Sequence, residues 1–384
     1  MSRNTPWIIL LCKFSDDPGN PGVRSVSDLV ALFGGNHPDS IPSYWRDISY
    51  GELDLVAGTE ISPWLTLPQK RSDHIGLSTR GSLFAWAKAA GAAAGVDFSR
   101  FFGTVVFFAV PTDLFGTSND PHVVCDILSS PAQILQEYGH AYGLKNHSRA
   151  VEKPEDYENP FCVMSSARFG TDMELFRRVD PTFAGRWGST GPGLCSPFVS
   201  ELGWLAGMRS VAVRSNGRYP STTVIELSAL GERNPAHAQA AIVEFEAPAK
   251  ARYFIEYRHG SCDRGIGYDP IVIQQVRADG IPYYAGLIRP FRDAPGAARG
   301  PAISVGKWYV DDRYDLSVEV LGVHEDRGSV TLRIAPAAAA RTLSVRGIVA
   351  SKLHLGRAFS LRTQVIARGQ PSVRDRLIGL LGEP

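Results

Sequence analysis

Apolar and polar positions along the first half of the chain switch between strand-like and helix-like spacing. "WIILLCKF" (7–14) is an apolar run of strand length, and "TVVFFAVP" (104–111) is a β-branched and aromatic run of the same kind. Between them, "SVSDLVALFGG" (25–35) predicts a short helix capped by Ser25 or Ser27 and stopped at Gly34–Gly35. "GELDLVAGTEISPWLTL" (51–67) alternates as a strand does, and the Ala-rich "GSLFAWAKAAGAAAG" (81–95) predicts a helix ending at Gly95. Ser130, Pro131 and Gln133 then form a helix start: an N-cap, a residue suited to the first helical position, and a side chain able to close a capping box. That helix is expected over 131–142, with Gly143 as its left-handed terminator.

Beyond about residue 206 the texture changes. "VAVRS", "TTVIELSAL", "AAIVEFEAP", "RYFIEYRH", "PIVIQQVR", "DLSVEVLGV" and "SVTLRIAP" are short strands with turn residues between them, the pattern of an antiparallel sandwich. "APAAAA" (335–340) reads as a linker. The tail from Arg341 carries eight Lys/Arg against Asp375 and Glu383, which suits a solvated or loosely docked segment, with a partner-binding arm as the other reading. Three segments follow: 1–206, 207–335, and a linker with basic tail over 336–384.

Composition narrows the function classes. The chain's 384 residues suffice for two domains or one large one. Lys plus Arg number 40 and Asp plus Glu 39, so no global field draws the chain to nucleic acid or anionic lipid, and no nucleic-acid partner is expected. No apolar run is long enough to span a membrane. The apolar N-terminal stretch is short for an export signal and is followed by Lys13 and an acidic pair, so a cytoplasmic location is expected for the chain as given. The five cysteines (Cys12, Cys125, Cys162, Cys195, Cys262) make no C-x-x-C pair, which argues against a cysteine zinc knuckle and for buried structural thiols, at least one of them free.

The chemistry concentrates in "QEYGHAYGLKNHS" (136–148). On a helix, residues four apart share a face, so Gln136 and His140 point the same way. That is the placement of the two imidazoles in an H-E-x-x-H zinc helix, with Gln136 in the first ligand position. Glu137 stands where such sites keep a carboxylate that takes a proton from metal-bound water and passes it to the leaving amine. Gly143 lets the chain leave the helix, and His147 is the candidate returning ligand. A bare E-x-x-H is a weak signal, and His140 alone reads equally as a packed core histidine. The run of Glu137, Gly139, His140, Gly143, Leu144, His147 and Ser148 after a capped start is stronger.

The sequence resembles the metzincin-type zinc metalloproteases, and among them the bacterial immune-inhibitor-A-like peptidases. Their H-E-x-G-H-x-x-G-L-x-H-S motif is followed by a Tyr and by Asp-Pro-Trp-Asp-x-Met-Ser; here "YENPFCVMSSA" aligns Tyr157, Pro160 and Met164–Ser165 with that second part. "YWRDISYGELDL" (44–55), "GPGLCSPFVSELGWL" (191–205) and "YFIEYRHGSCDRGIG" (253–267) resemble further family segments. The resemblance implies an α+β protease-like domain with a twisted mixed sheet and an active-site helix, followed by a β-sandwich. It also implies a Met-turn, with Met164 as the floor of a zinc site. Relatives are exported, which makes secretion the alternative location. The chain departs from the family at Gln136, at the extra residue before His147, and at Cys162, Asn159 and Cys262.

Two functional readings follow. A neutral amide is a much poorer zinc ligand than imidazole, so zinc is expected to be weakly held or absent. The first reading is therefore an inactive or weakly active relative that serves as a binding or regulatory module for a protein partner. The second is an active metal-dependent peptidase acting on a polypeptide substrate, with Glu137 as general base and His140, His147 and Gln136 around the metal.

Overall fold

A computed structural model describes residues 3–17, 25–35, 37–74, 80–112, 121–152, 154–168, 184–185, 188–189, 191–205, 210–213, 215–216, 219–220, 222–245, 251–259, 269–288 and 306–337. Cys262, the basic tail and the end of the expected linker lie outside these residues. The chain divides into two compact units, Met1–Ala340 and Arg341–Pro384, and the architecture below is that of the first. It is α+β, with few helices and several sheets. No helix among the described residues is long and apolar enough to cross a membrane.

The first half builds on strands β1 (Trp7–Lys13), β2 (Glu60–Thr66), β3 (Gly103–Phe108) and β4 (His122–Asp126), in the order β2-β1-β3-β4. Among the described residues every pairing of these strands is parallel, where a mixed sheet was expected. Parallel neighbours need long crossovers. Helices α1 (Val26–Gly34) and α2 (Ile41–Ile48) lie between β1 and β2, and α3 (Arg80–Ala93) lies between β2 and β3. Ser25 caps α1 as expected, accepting from Asp28 N at 3.1 Å.

Alternate residues of β1 and β3 enter two different cores, which is why both strands read as unbroken apolar runs. Trp7, Ile9, Leu11, Val105 and Phe107 pack with Leu29 and Leu32 of α1 and Trp45 of α2. Ile8, Leu10, Cys12, Val106 and Phe108 pack on the other face with Leu83 and Ala87 of α3. Helix α4 (Pro131–Ala141) follows β4 and adds Ile134, Leu135 and Tyr138 to the first of these cores.

Among its described residues the second half has two larger sheets, besides a short antiparallel pairing of Ser215–Asn216 with Tyr219–Pro220. A short strand β5 (Arg149–Ala150) and helix α5 (Ser196–Glu201) precede it. Its strands are β6 (Ser210–Val213), β7 (Thr223–Ser228), β8 (Ala240–Glu244), β9 (Arg252–Tyr257), β10 (Ile271–Val276), β11 (Pro282–Ile288), β12 (Trp308–Asp311), β13 (Leu316–His324) and β14 (Ser329–Pro336). One sheet runs β6-β8-β9-β10-β11-β5 and the other β7-β14-β13-β12. Pairing is antiparallel within the second sheet and along β8 to β11, as expected, but parallel at both edges of the first, where β6 joins β8 and β5 joins β11.

Side chains alternate along β9. Tyr253, Ile255 and Tyr257 enter a core shared with Val318 and Val320 of β13 and Leu332 and Ile334 of β14. Glu256 and, just beyond the strand, Arg258 point the other way and reach the first half of the chain. Arg258 donates to the carbonyls of Leu194 at 2.8 Å and Phe161 at 2.6 Å, while Glu256 accepts from Ser196 N at 2.6 Å. Both are buried, with Arg258 Nε 3.7 Å from Glu256 Oε1. Burial raises the Glu256 carboxyl above its ordinary range, against the pull of Arg258 and the Ser196 hydrogen bond. The sheet thus fixes the two loops that flank the candidate site.

Candidate functional site

Helix α4 begins and ends through local chemistry. Ser130 Oγ accepts from Gln133 N at 3.3 Å and Gln133 Oε1 accepts from Ser130 N at 2.9 Å, which closes the capping box. At the other end Leu144 N donates to Gly139 O at 3.1 Å and Gly143 N to His140 O at 2.9 Å, with Gly143 at φ +109°. These two bonds make a Schellman termination, which glycine accommodates without a Cβ penalty. Tyr138 lies against Trp7 with ring centroids 4.3 Å apart, and the Tyr142 hydroxyl accepts from Trp7 Nε1 at 3.2 Å. Burial pushes the Tyr142 hydroxyl up to about 12, so it stays a neutral hydrogen-bonding group. The helix is therefore anchored along one side before any functional side chain is considered.

Past Gly143 the chain bends at Asn146 and returns His147 to the helix. His140 Nε2 and His147 Nε2 lie 3.0 Å apart, with the rings edge-on at 80°. Each imidazole is held from its far side. His140 Nδ1 is 2.6 Å from the Leu144 carbonyl and His147 Nδ1 is 3.4 Å from Asp156 Oδ2. A carbonyl and a carboxylate only accept, so both Nδ1 atoms carry the proton and both Nε2 atoms present a lone pair in the neutral rings. Two lone pairs facing each other at 3.0 Å call for a shared proton or a cation between them.

The electrostatics keep His147 a neutral donor. Burial lowers its pKa, the Asp156 carboxylate works the other way, and Arg149 adds to the lowering. Burial raises the Asp156 carboxyl, but hydrogen bonds from Arg149 and His147 and the charge of Arg149 outweigh that and leave it below its ordinary value. Arg149 Nε donates to Asp156 Oδ1 at 2.7 Å.

Met164 is fully buried, and a Cβ added to Gly139 would run into its Sδ. Ser148 N donates to Met164 O at 3.2 Å and Ser165 Oγ to Ser148 O at 2.9 Å, which ties the His147 loop to the Met164 loop. Asn159 Nδ2 donates to Ser148 Oγ at 2.7 Å and to Gln274 Oε1 at 3.0 Å. An ionised Asp could not donate these two bonds, so the amide at this position suits its neighbours as they are oriented. Cys162 is fully buried and its Sγ accepts from Cys195 N at 3.4 Å. The four described cysteines are buried free thiols.

Gln136 and Glu137 are buried on α4, with Gln136 Nε2 3.5 Å from Glu137 Oε1. Among the described residues no three His, Cys, Asp or Glu side chains gather to hold a metal ion. The donor set in hand is two imidazoles with hydrogen-bonded Nδ1 atoms, the arrangement that orients metal-ligating histidines. Metal–nitrogen bonds of about 2.0–2.1 Å put two ligand atoms roughly 2.9 Å apart at a right angle and about 3.3 Å apart at a tetrahedral angle. The observed 3.0 Å falls in that interval, so the pair fits a divalent transition metal.

The sequence singled out His140, His147, Glu137 and Gln136, of which the structure brings His140 and His147 together, but it did not single out Asp156 or Arg149. The acidic turn "PEDYENP" (154–160) offered the only signal, a carboxylate within reach of a loop histidine. The sequence matches no protein-family model, and no curated protein is a significant match.

Proposed function

We propose that the chain is a metzincin-type metalloprotease-like protein, resembling the immune-inhibitor-A-like peptidases, whose zinc centre has lost an imidazole at Gln136. On this reading, 1–206 is the protease-like part, 207–335 a β-sandwich, and 336–384 a linker with a basic tail. It works as a binding or regulatory module for a polypeptide partner, with little or no turnover. The observation that carries the reading is the convergence of His140 and His147, each oriented from behind, at the end of a helix whose Gly139 packs on the buried Met164. Facing lone pairs at this spacing are satisfied by a shared proton or by a cation, and this reading takes the cation. Two strong donors hold zinc less firmly than three, and loosely held zinc does not reliably lower the pKa of its water. When bound, the ion would polarise a carbonyl and activate water.

A second reading, a working peptidase, is favoured by Glu137. It lies buried beside the first ligand position, where it could take a proton from water and return it to the leaving amine. One experiment separates the two. Elemental analysis of the purified protein is expected to give substoichiometric zinc, and Gln136→His is expected to tighten zinc binding. Chelator-sensitive cleavage of casein that is lost in Glu137→Ala would overturn the first reading in favour of the second.

A further inference from the structure

Resemblance assigns the third metal position to Gln136, but the geometry points to a different donor. We propose that Tyr157 supplies it, through its phenolate oxygen, to a divalent transition metal held by His140 and His147. This rests on the metal site of the proposed function and replaces only Gln136 within it.

Three observations carry the inference. The first is distance. Tyr157 Oη lies 3.2 Å from His147 Nε2, which itself lies 3.0 Å from His140 Nε2. Both separations fall between the roughly 2.9 Å and 3.3 Å expected for ligand atoms on one ion at right-angle and tetrahedral spacing. The second is backbone conformation. Tyr157 has φ +70°, a left-handed value that bulky side chains rarely adopt and that concentrates at functional positions. Its amide donates to Ser148 O at 3.1 Å, which pins the turn, and its ring lies over His147 with centroids 4.2 Å apart. The third is adjacency. Asp156 grips the Nδ1 side of His147 while the next residue brings a hydroxyl to the Nε2 side, so one turn orients the imidazole and adds a donor beside it. The Gln136 amide offers only a neutral oxygen, a weaker donor than phenolate.

The chemistry balances without a redox partner. A metal–oxygen bond forms, the O–H bond of Tyr157 breaks, and the proton leaves to solvent, as metal binding to protonated ligands requires. The added negative charge offsets one of the ion's positive charges and fills the third position. Both effects weaken the ion as a Lewis acid, which accords with binding rather than turnover.

The test titrates metal-free protein with Cu(II), followed by absorption, and with Zn(II) by competition, in wild type, Tyr157→Phe, Gln136→Ala and His140→Ala. The expected result is a phenolate-to-copper charge-transfer band in wild type that saturates at one ion per chain. Tyr157→Phe is expected to lack the band and to bind Zn(II) at least about 10-fold more weakly, while Gln136→Ala keeps both. The wild-type band needs no variant, so misfolding of Tyr157→Phe would not mask the answer. Binding that is lost in His140→Ala, but shows no band and is unchanged in Tyr157→Phe, overturns the proposal and leaves the two-histidine site standing. Absence of binding in wild type, or binding that survives His140→Ala, overturns the site itself and this proposal with it.

Discussion

Gly139 and Met164 show how the site is set at the scale of single residues. The glycine lies one residue before His140, and its missing side chain makes room for a buried sulfur. Gly139→Ala is expected to destabilise the protein by about 1–3 kcal/mol through overpacking, as measured by urea denaturation. The same change combined with Met164→Ala should cost less than the sum of the two single changes, because the second substitution removes the clash. Independent additive costs would show that the methionine does not press on the helix. The sequence displayed Gly139 and Met164 as motif positions. The contact between them needed the chain folded, since the end of α4, strand β5 and the loops around them separate the two.

Among elements, what was legible is what depends on neighbours in sequence. The limits of α4 followed from Ser130, Pro131, Gln133 and Gly143, because caps and terminators act within one turn. The buried strands β1 and β3 were legible as apolar runs. Helices α2 and α5 were not read, being only eight and six residues long. Strand β5 was invisible for a different reason: its two residues become a strand only by pairing with β11. The parallel order of the first sheet was likewise hidden, since period alone does not tell parallel from antiparallel neighbours.

Pairing between β7 and β14 gives an element-scale prediction. Glu226 of β7 accepts from Ser329 Oγ at 2.6 Å and faces His237, His324 and Arg327. The Ser329 hydrogen bond, and then the nearby positive groups against a burial cost, lower its pKa from 4.5. A lowered folded-state pKa contributes stability above the unfolded value and loses it as pH falls through the folded one. Wild type should therefore lose more stability than Glu226→Gln as pH drops below 4.5, followed by thermal melts across that range. Parallel losses in the two proteins would contradict the assignment.

Across the whole first unit, the six-stranded sheet does more than close a second core. Through Arg258 it holds the carbonyls of Leu194 and Phe161, and through Gln274 it meets Asn159, so the Met164 loop takes its position from residues far along the chain. Arg258→Ala leaves the Glu256 carboxyl buried without its cation, and is expected to cost about 3–5 kcal/mol. In denaturant, that variant should lose the two halves together if they fold as one cooperative body. A separate early transition in wild type would show that the halves are independent.

The account turns on His140 and His147 meeting around one cation. Isothermal titration of metal-free wild type, His140→Ala and His147→Ala with a divalent transition metal tests this most directly. The predicted result is one ion bound per wild-type chain and loss of that binding in each single variant. Equal binding in all three proteins, or none in wild type, would contradict it.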